Sequence, residues 1–372
     1  MISLYIHIPF CKRLCPYCAF YKLITQPDTI DRFIAALGRE MTAYSSREGR
    51  LAVHTIYVGG GTPSELPLGA WKTLLSELNR HFDLTNTVEF TVELNPESVT
   101  PGYVEALHGL GVNRASLGVQ SMNETELLFL GRGHRADSVA AAAMAIQEAG
   151  IRNWSVDVIY ALPNSTVETL DNTVSQLLAL NPTHVSVYEL TIEPNTKFER
   201  LRIQPSPTLV QLAQYELIQS RLASAGFQQY EFSAFSRPGC ESKHNLGYWQ
   251  FRPYVGIGPG AHSFFKNCRY ATQMPFPTYL DTADFQPGYG TQLPDSNADL
   301  VADFVMVQLR LVDGIDLNQA KMQLGVDILN DLSPAISKLV QDGFLSVENN
   351  RLIATRKGWP LIDQLALELL SR

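Results

Sequence analysis

Near its start the chain reads YIHIPFCKRLCPYC over residues 5–18. An apolar strand pattern, Leu4–Ile8, is followed at once by three cysteines, Cys11, Cys15 and Cys18, with the spacing CxxxCxxC. Three thiolates on one short loop can ligate three irons of a [4Fe–4S] cluster and leave the fourth iron open to a substrate or cofactor. The stretch therefore predicts a metal site directly after the first strand, where the site of a parallel α/β protein lies.

Two other interpretations of these cysteines stay open: a zinc site, or three thiols without a metal. A structural zinc site takes four protein ligands, and Cys240 or Cys268 could supply the fourth. Neither has the paired spacing that is usual in zinc sites. The chain has five cysteines, an odd number and too few for a disulfide scaffold of this size. Their clustering in a reducing compartment favours metal or redox chemistry.

The first strand begins a regular alternation of apolar β-branched runs with amphipathic stretches. The predicted strands are Leu4–Ile8, Thr55–Val58, Thr87–Glu93, Arg114–Val119, Ser155–Ile159 and His184–Leu190. The predicted helices are Thr29–Tyr44, Leu68–Arg80, Gly102–Leu110, Ser138–Ala149, Val167–Leu180 and Leu209–Ala225. This alternation predicts an α/β fold of parallel βα units, arranged as a barrel or an open sheet. Several strands end in glycine or polar residues, which places a site at the carboxyl ends of the strands.

Composition divides the chain into three predicted parts. Residues 1–225 hold the βα units, residues 226–294 are rich in glycine, proline and aromatic residues, and residues 295–372 are helical again. The predicted elements of the last part are helices at Leu300–Val312, Leu317–Leu324 and Ile328–Gln341, a hairpin turning at Asn349 and Asn350, and a final helix ending near Leu370. Helices followed by a hairpin are typical of a winged-helix-like α+β domain.

Charge limits the partners of the chain. Its 372 residues include 29 Lys and Arg against 37 Asp and Glu, a net charge of −8. Residues 298–372 alone hold 7 basic against 10 acidic side chains. This balance argues against binding through nucleic-acid phosphates, so we expect no DNA partner and interpret the C-terminal part as a packing domain.

The chain has no apolar run long enough to span a membrane. The first residues lack a basic region, and His7 and Pro9 interrupt any apolar core of a secretory signal. We therefore expect a cytoplasmic protein.

Together these motifs resemble the radical SAM superfamily, in which S-adenosylmethionine (SAM) binds the open iron of the cluster. Within it the chain resembles the group of the oxygen-independent coproporphyrinogen III oxidase HemN and the haem chaperone HemW. The matching stretches are residues 5–11, 57–64, 93–96, 116–121, 130–134 and 155–159, and the resemblance continues through residues 343–357. It implies a partial, open (β/α)6 barrel of the TIM type with a smaller C-terminal domain.

The resemblance also implies which residues surround the cluster and SAM. The implied SAM-binding residues are Tyr5, Tyr17, Gly60, Gly61, Thr62, Glu93, Gln120, Arg132 and Asp157. The two tyrosines would line the site beside the cluster, and the glycine turn would hold the methionyl end, where a Cβ would block close approach. The carboxylates would accept from hydroxyl groups and the arginine would pair with a carboxylate. Each of these residues taken alone could be an ordinary strand-end polar group.

Two features separate an oxidase from a haem chaperone. The oxidases carry a fourth cysteine two residues after the third, and here that position is Phe20. They also carry a long segment ahead of the cluster motif, whereas Cys11 here lies ten residues from the first residue. The sequence HNxxYW resembles the haem-binding motif of HemW and implies haem binding by His244, Asn245, Tyr248 and Trp249. The alternative is that the histidine is a hydrogen-bonded loop residue and the aromatic residues belong to the core.

The leading hypothesis is a haem chaperone that holds a [4Fe–4S] cluster and SAM, binds haem and delivers it to apo-haemoproteins. The alternative is an enzyme, a radical SAM oxidase that decarboxylates coproporphyrinogen III to protoporphyrinogen IX. Whether the chain is an enzyme stays open, although Phe20 argues against the oxidase activity. An electron donor of unknown identity, a homodimer and a peripheral contact with membrane haemoproteins stay open as further partners.

Overall fold

The computed structural model of the protein describes residues 1–288 and 295–371. Its strands are β1 (Ile2–Ile8), β2 (Phe10–Cys11), β3 (Leu23–Ile24), β4 (Leu51–Gly60), β5 (Phe82–Asp83), β6 (Glu89–Leu94), β7 (Arg114–Gln120), β8 (Asn153–Tyr160), β9 (His184–Glu189), β10 (Gln228–Glu231), β11 (Ala234–Ser236), β12 (Tyr254–Ile257), β13 (His262–Phe265), β14 (Cys268–Ala271), β15 (Ile315–Asp316), β16 (Leu345–Glu348) and β17 (Arg351–Ala354). Its α-helices are α1 (Pro27–Glu48), α2 (Leu68–His81), α3 (Pro101–Gly109), α4 (Glu124–Phe129), α5 (Ala136–Glu148), α6 (Val167–Ala179), α7 (Lys197–Arg200), α8 (Thr208–Ser224), α9 (Lys243–Trp249), α10 (Phe276–Asp281), α11 (Asn297–Gln308), α12 (Leu317–Leu324), α13 (Ile328–Asp331), α14 (Ser333–Gln341) and α15 (Ile362–Leu370).

A parallel sheet forms the centre of the molecule, in the strand order β9-β8-β7-β6-β4-β1. Each of the six predicted strands overlaps one of these strands, and each predicted helix of the βα units overlaps an observed helix. Most positions of β1 and β8 are buried, as expected of parallel strands covered on both faces. The parallel carboxyl ends bring the polar residues after the strands to one edge of the sheet.

The sheet continues beyond the six parallel strands and does not close on itself. On one side β12 pairs parallel with β1, followed by β13 and β14; on the other side β11 pairs antiparallel with β9. The structure therefore confirms the predicted open α/β fold. An open barrel leaves one side of its mouth to be covered by other segments.

Helix α1 shows how the helices cover the sheet. Proline stands at its first helical position, where the missing N–H costs no hydrogen bond. Phe33, Leu37, Met41 and Tyr44 recur at helical spacing and are buried. The amphipathic pattern in the sequence thus predicts the face that packs on the core.

The C-terminal part contains helices α11–α15 and a small sheet in the order β15-β17-β16. Asn349 and Asn350 form the predicted hairpin turn, with φ values of 48° and 61°. The predicted single helix Ile328–Gln341 is wrong: α13 and α14 are separated at Leu332, whose φ and ψ are −113° and 17°. Pro334 is accommodated because it lies in the first turn of α14.

Contacts between the barrel and the C-terminal part are buried and hydrogen-bonded. Trp359 Nε1 donates to Tyr215 Oη at 2.9 Å, and the same hydroxyl donates to the carbonyl of Phe232 at 2.9 Å. The predicted boundary at residue 294 lies outside the described residues, as does Arg372. Within the described ranges, no helix combines the length and hydropathy needed to cross a bilayer.

Candidate functional site

A cavity of about 640 Å³ opens at the carboxyl ends of the parallel strands. We call it the cysteine cavity. The predicted site residues that line it are Cys11, Cys15, Cys18, Tyr17, Gly60, Gly61, Thr62, Glu93, Gln120, Arg132 and Asp157. The structure thus brings together every residue that the sequence placed around the cluster and SAM except Tyr5.

The cysteines stand on a loop that is closed at its base by backbone hydrogen bonds. Strands β2 and β3 pair there, and Thr25 N donates to the carbonyl of Cys11 at 3.0 Å. Cys18 N donates to the carbonyl of Cys15 at 3.3 Å, which folds the loop back on itself. Tyr17 packs against Phe198, with ring centroids 6.3 Å apart. The loop is therefore held against the barrel mouth on two sides.

All three cysteines are free thiols. Among the described residues, no three His, Cys, Asp or Glu side chains converge closely enough to hold one metal ion. A four-iron cluster binds each thiolate through a different iron, so its ligands need not converge on one point. Three unpaired thiols around one cavity are a donor set that suits such a cluster.

Burial affects the acidity of these thiols. Desolvation raises the pKa of Cys11 to about 11, although the hydrogen bond that Thr62 Oγ1 donates to its sulfur at 3.6 Å opposes the shift. Desolvation also raises the pKa of Cys18. Both groups are thiols at neutral pH until a cation lowers their pKa values, as coordinated metal ions do.

The glycine turn after β4 lies flush against the carboxyl end of β1. Gly60 has a φ of 110°, and a Cβ at this position would lie 2.4 Å from the ring of His7. Gly61 N donates to the carbonyl of Ile8 at 2.7 Å, so the turn is held beside the cysteine loop. Only glycine permits this path of the backbone along the cavity.

Two carboxyl groups stand in the wall of the cysteine cavity. Glu93 accepts hydrogen bonds from Tyr57 Oη at 2.8 Å and Gly60 N at 3.0 Å. Desolvation raises the pKa of Glu93 to about 7 against these hydrogen bonds, with a further increase from the charge of Asp157. Asp157 accepts from Ser116 at 3.0 Å, and desolvation raises its pKa as well. The sequence interpretation did not identify Tyr57 and Ser116 as hydrogen-bond partners of these two carboxyl groups.

The guanidinium group of Arg132 has one unsatisfied hydrogen-bond donor among the described residues. Its Nη2 donates to the carbonyl of Gly118 at 2.7 Å and to Asn95 Oδ1 at 3.1 Å, and its Nη1 donates to the sulfur of Cys15 at 3.8 Å. Its Nε is buried and has no partner among the described residues. A guanidinium with a spare donor at the cavity wall suits a carboxylate ligand. Asn95 is a partner that the sequence interpretation did not single out.

Gln120 ends β7 with an unusual backbone conformation. Its φ is 70°, and the pairing of β7 with β8 shifts register between Gly118 and Gln120. A residue other than glycine is strained at such a positive φ, and backbone strain of this kind is frequent at functional sites. The irregularity turns the end of the strand into the cavity lining.

Tyr5 lies in a neighbouring cavity of about 520 Å³. We call it the aromatic cavity. Tyr5 lines it with Tyr248 and Trp249, and its ring stacks on Tyr57 at 6.1 Å. Tyr5 therefore shares a cavity lining with two of the predicted haem-binding residues, and its role in binding SAM stays a prediction.

His244 lines neither of these two cavities. It is fully buried on α9, where its Nδ1 hydrogen bonds with Thr55 Oγ1 at 2.9 Å and its Nε2 with Tyr248 Oη at 2.7 Å. Burial lowers its pKa to about 3, so the imidazole is neutral. Asn245 is half-buried and also lies outside both linings. Haem binding by these two residues stays a prediction.

Comparisons with known proteins agree with this architecture. Residues 5–177 match the family model of the Radical SAM superfamily, and residues 295–361 match the HemN C-terminal domain. The heme chaperone HemW of Bacillus subtilis (strain 168) is 32% identical over 365 residues, covering 96% of each chain. The heme chaperone HemW of Escherichia coli (strain K12) is 39% identical over 267 residues, covering 70% of this chain and 69% of that protein.

A solved structure shows the same fold. The coproporphyrinogen III oxidase HemN from Escherichia coli, described as a radical SAM enzyme, superposes with a TM-score of 0.84. The match covers 100% of this chain and 90% of that chain at 22% sequence identity. The predicted family is confirmed by these findings, while the likeness to this oxidase concerns the fold alone.

Proposed function

Because this chain belongs to the HemN/HemW group of the radical SAM superfamily, we propose that it is a haem chaperone that binds haem and delivers it to apo-haemoproteins. One observation carries the proposal: the aromatic cavity adjoins the cysteine cavity, with Ala19 and Phe20 lining both. A flat apolar ligand and a cluster would then occupy neighbouring sites. The similarity to heme chaperones over nearly the full length supports the same function.

The cysteine cavity supports a [4Fe–4S] cluster on Cys11, Cys15 and Cys18. When bound, such a cluster supplies an open iron for SAM and an electron for redox chemistry. Around it the chain offers a closely approaching backbone turn at Gly60 and a spare guanidinium donor on Arg132. These groups bind and orient an amino acid moiety, since backbone and guanidinium atoms pair with its charged ends.

Glu93 and Asp157 bind hydroxyl groups in the same proposal. Both carboxyl groups lie in the cavity wall, and each is oriented by hydroxyl donors from neighbouring strands. Their oxygens have further lone pairs that can accept from a ribose. The cavity thus has complementary groups for the charged and the hydroxylated parts of SAM.

We also propose that the protein works in the cytoplasm with an electron donor and with apo-haemoproteins that receive the haem. Cys11, Cys15, Cys18 and Cys240 are free thiols, as a reducing cytoplasm keeps them. An electron donor would be required to reduce the cluster. We place the receiving apo-haemoproteins in the cytoplasm or at its membrane surface.

A haemin titration followed by a transfer assay tests the function. Anaerobically reconstituted protein should bind haemin in a defined stoichiometry. It should then transfer haemin to apomyoglobin faster than a control in which haemin is mixed with albumin and this protein is left out. Failure of the protein to bind haemin, with its cluster intact, would contradict the proposal.

The alternative oxidase activity is tested with the same preparation. The protein is given SAM, a low-potential reductant and coproporphyrinogen III, and protoporphyrin is measured by chromatography after oxidation. We expect no product beyond the background without SAM. Product in stoichiometric excess over the protein would overturn the chaperone function in favour of decarboxylation.

A further inference from the structure

The aromatic cavity has walls that suit a flat, apolar ligand. The lining rings include those of Tyr5, Phe20, Tyr248, Trp249, Tyr254 and Phe264. Val307 of α11 also lines the cavity, so the C-terminal part contributes to its wall. A cavity of about 520 Å³ lies in the size range of small-molecule and cofactor sites. Phe20 is 65% exposed and lines both the aromatic cavity and the cysteine cavity.

Two histidines line this cavity, and they differ in availability. His7 is buried; its Nδ1 hydrogen bonds with Tyr5 Oη at 2.9 Å and its Nε2 with the carbonyl of Tyr21 at 2.7 Å. His262 begins β13, is exposed, and forms no hydrogen bond through its ring with any residue that the structure describes. His262 is therefore the imidazole in this lining with both nitrogens free.

The cations of the lining also differ. Arg269 is paired with Asp303 and lies over the ring of Phe264 at 5.1 Å. Arg252 is exposed, and its guanidinium has no partner in the described ranges. The indole Nε1 of Trp249 is buried and likewise has no partner among the residues described. The cavity thus offers a free cation and a free N–H donor beside apolar rings, which suits a planar ligand with carboxylate arms.

We propose that the aromatic cavity is the haem site, with His262 as the axial ligand of the iron and Arg252 as the partner of a propionate carboxylate. This assignment rests on the proposed haem-binding function. An imidazole with a free nitrogen is a competent haem ligand, whereas both nitrogens of His244 are engaged inside the barrel. His244 is then a positioning residue, because its Nε2 holds the hydroxyl of Tyr248 in the cavity wall.

Binding of ferric haem, compared with binding of iron-free protoporphyrin IX, distinguishes ligation of the iron by His262 from pairing of a propionate with Arg252. In His262→Ala the visible spectrum of bound haemin should lose its histidine-ligated form, and added imidazole should restore it. Affinity for iron-free protoporphyrin IX should stay within about twofold of wild type, since the ring contacts are unchanged. In Arg252→Ala the affinities for both porphyrins should fall about tenfold, equal to about 1.4 kcal/mol.

His54→Ala and Arg356→Ala are the matched controls, because neither residue lines the aromatic cavity. Tyr248→Phe removes the hydrogen bond to His244 without emptying the barrel interior. We expect this variant to lower the affinities for both porphyrins by the same factor. The visible spectrum of bound haemin should keep its histidine-ligated form.

Four outcomes test the assignment. An unchanged haemin spectrum in His262→Ala would overturn it, and so would loss of the histidine-ligated spectrum in His244→Ala with rescue by imidazole while His262→Ala behaves as wild type. Wild-type protein that binds no haemin would instead overturn the proposed function itself. Loss of the ligated spectrum in His262→Ala alone supports the assignment.

Discussion

At the residue scale, the cluster proposed for the cysteine cavity requires thiolate ligands, which oxygen ligands do not replace. The sulfur of Cys15 lines the cavity and accepts a hydrogen bond from Arg132. We expect Cys15→Ser to abolish the broad iron–sulfur absorbance of reconstituted protein, because soft thiolates select iron–sulfur clusters. Absorbance together with iron and sulfide content measures this.

Cys240→Ser is the matched control for that substitution. Cys240 is half-buried and lies outside the cysteine cavity, so this variant should keep the iron and sulfide content of wild type. A wild-type spectrum in Cys15→Ser would remove the basis for the cluster.

Glu93 gives the apoprotein a pH-dependent stability. Its pKa is raised to about 7 in the folded protein from an ordinary 4.5, chiefly by desolvation. The folded state therefore holds a proton that the unfolded chain releases. The contribution is fully present below about pH 4.5 and is lost as the pH rises through 7.

Urea denaturation of the apoprotein across this range measures the effect. Between about pH 4.5 and 8 the free energy of unfolding of wild type should fall relative to that of Glu93→Gln by on the order of 2 kcal/mol, since the cavity is open to water. Glu105→Gln, on the exposed side of α3, should keep the wild-type profile. Parallel profiles for wild type and Glu93→Gln would contradict the raised pKa.

Single residues also mark what the sequence could predict about the site. Cys11 and Arg132 both line the cysteine cavity, because the connections that follow parallel strands meet at one edge of the sheet. The position of Tyr5 depends on the direction of its ring, which stacks on Tyr57 and lines the aromatic cavity. His262 follows a glycine-rich loop whose path no periodic pattern specifies, so its availability is visible only in three dimensions.

At the scale of elements, the turn after β4 sets the close approach of the glycine motif to the first strand. We expect Gly60→Ala to destabilise the protein by on the order of 2 kcal/mol or more, because its φ of 110° is strained for alanine and its Cβ would meet the ring of His7. Affinity for SAM should fall in parallel. Denaturation and equilibrium binding of SAM to the reconstituted protein measure both effects.

Gly69→Ala supplies the comparison. Gly69 lies in the first turns of α2 with nothing within 4 Å of an added Cβ. Alanine there should be neutral or stabilising by about 0.5–1 kcal/mol, as in exposed helices generally. Equal stabilities of Gly60→Ala and Gly69→Ala would mean that the turn relaxes without cost.

Element types followed from periodicity more readily than element ends did. The buried stripe of α1 repeats at helical spacing, so its helix was predictable. The separation of α13 from α14 depends on Leu332. Its apolar side chain continues the helical pattern, but its backbone is not helical. Side-chain patterns cannot report such a backbone break, although Pro334 is the local signal that a helix starts there.

At the scale of the whole molecule, the order of βα units predicted the central sheet but not how the C-terminal part meets it. Sequential strands pair through short connections, whereas the hydrogen bond from α12 to Gln250, directly after α9, joins residues 69 positions apart. Gln319 Nε2 donates to the carbonyl of Gln250 at 2.9 Å, and Gln319 Oε1 accepts from Gln308 Nε2 at 2.8 Å. This relay fixes the end of α9, which carries Tyr248 and Trp249.

The relay therefore links the C-terminal part to the wall of the aromatic cavity. Gln319→Ala leaves the amide of Gln308 and the carbonyl of Gln250 without their partner, which should cost about 1–3 kcal/mol of stability. Haemin affinity should fall severalfold because the end of α9 loosens, while the iron content stays at the wild-type value. Asn318→Ala, on the exposed side of the same helix, should change neither quantity. If Gln319→Ala loses stability but binds haemin as wild type does, the C-terminal part stabilises the fold without shaping the cavity.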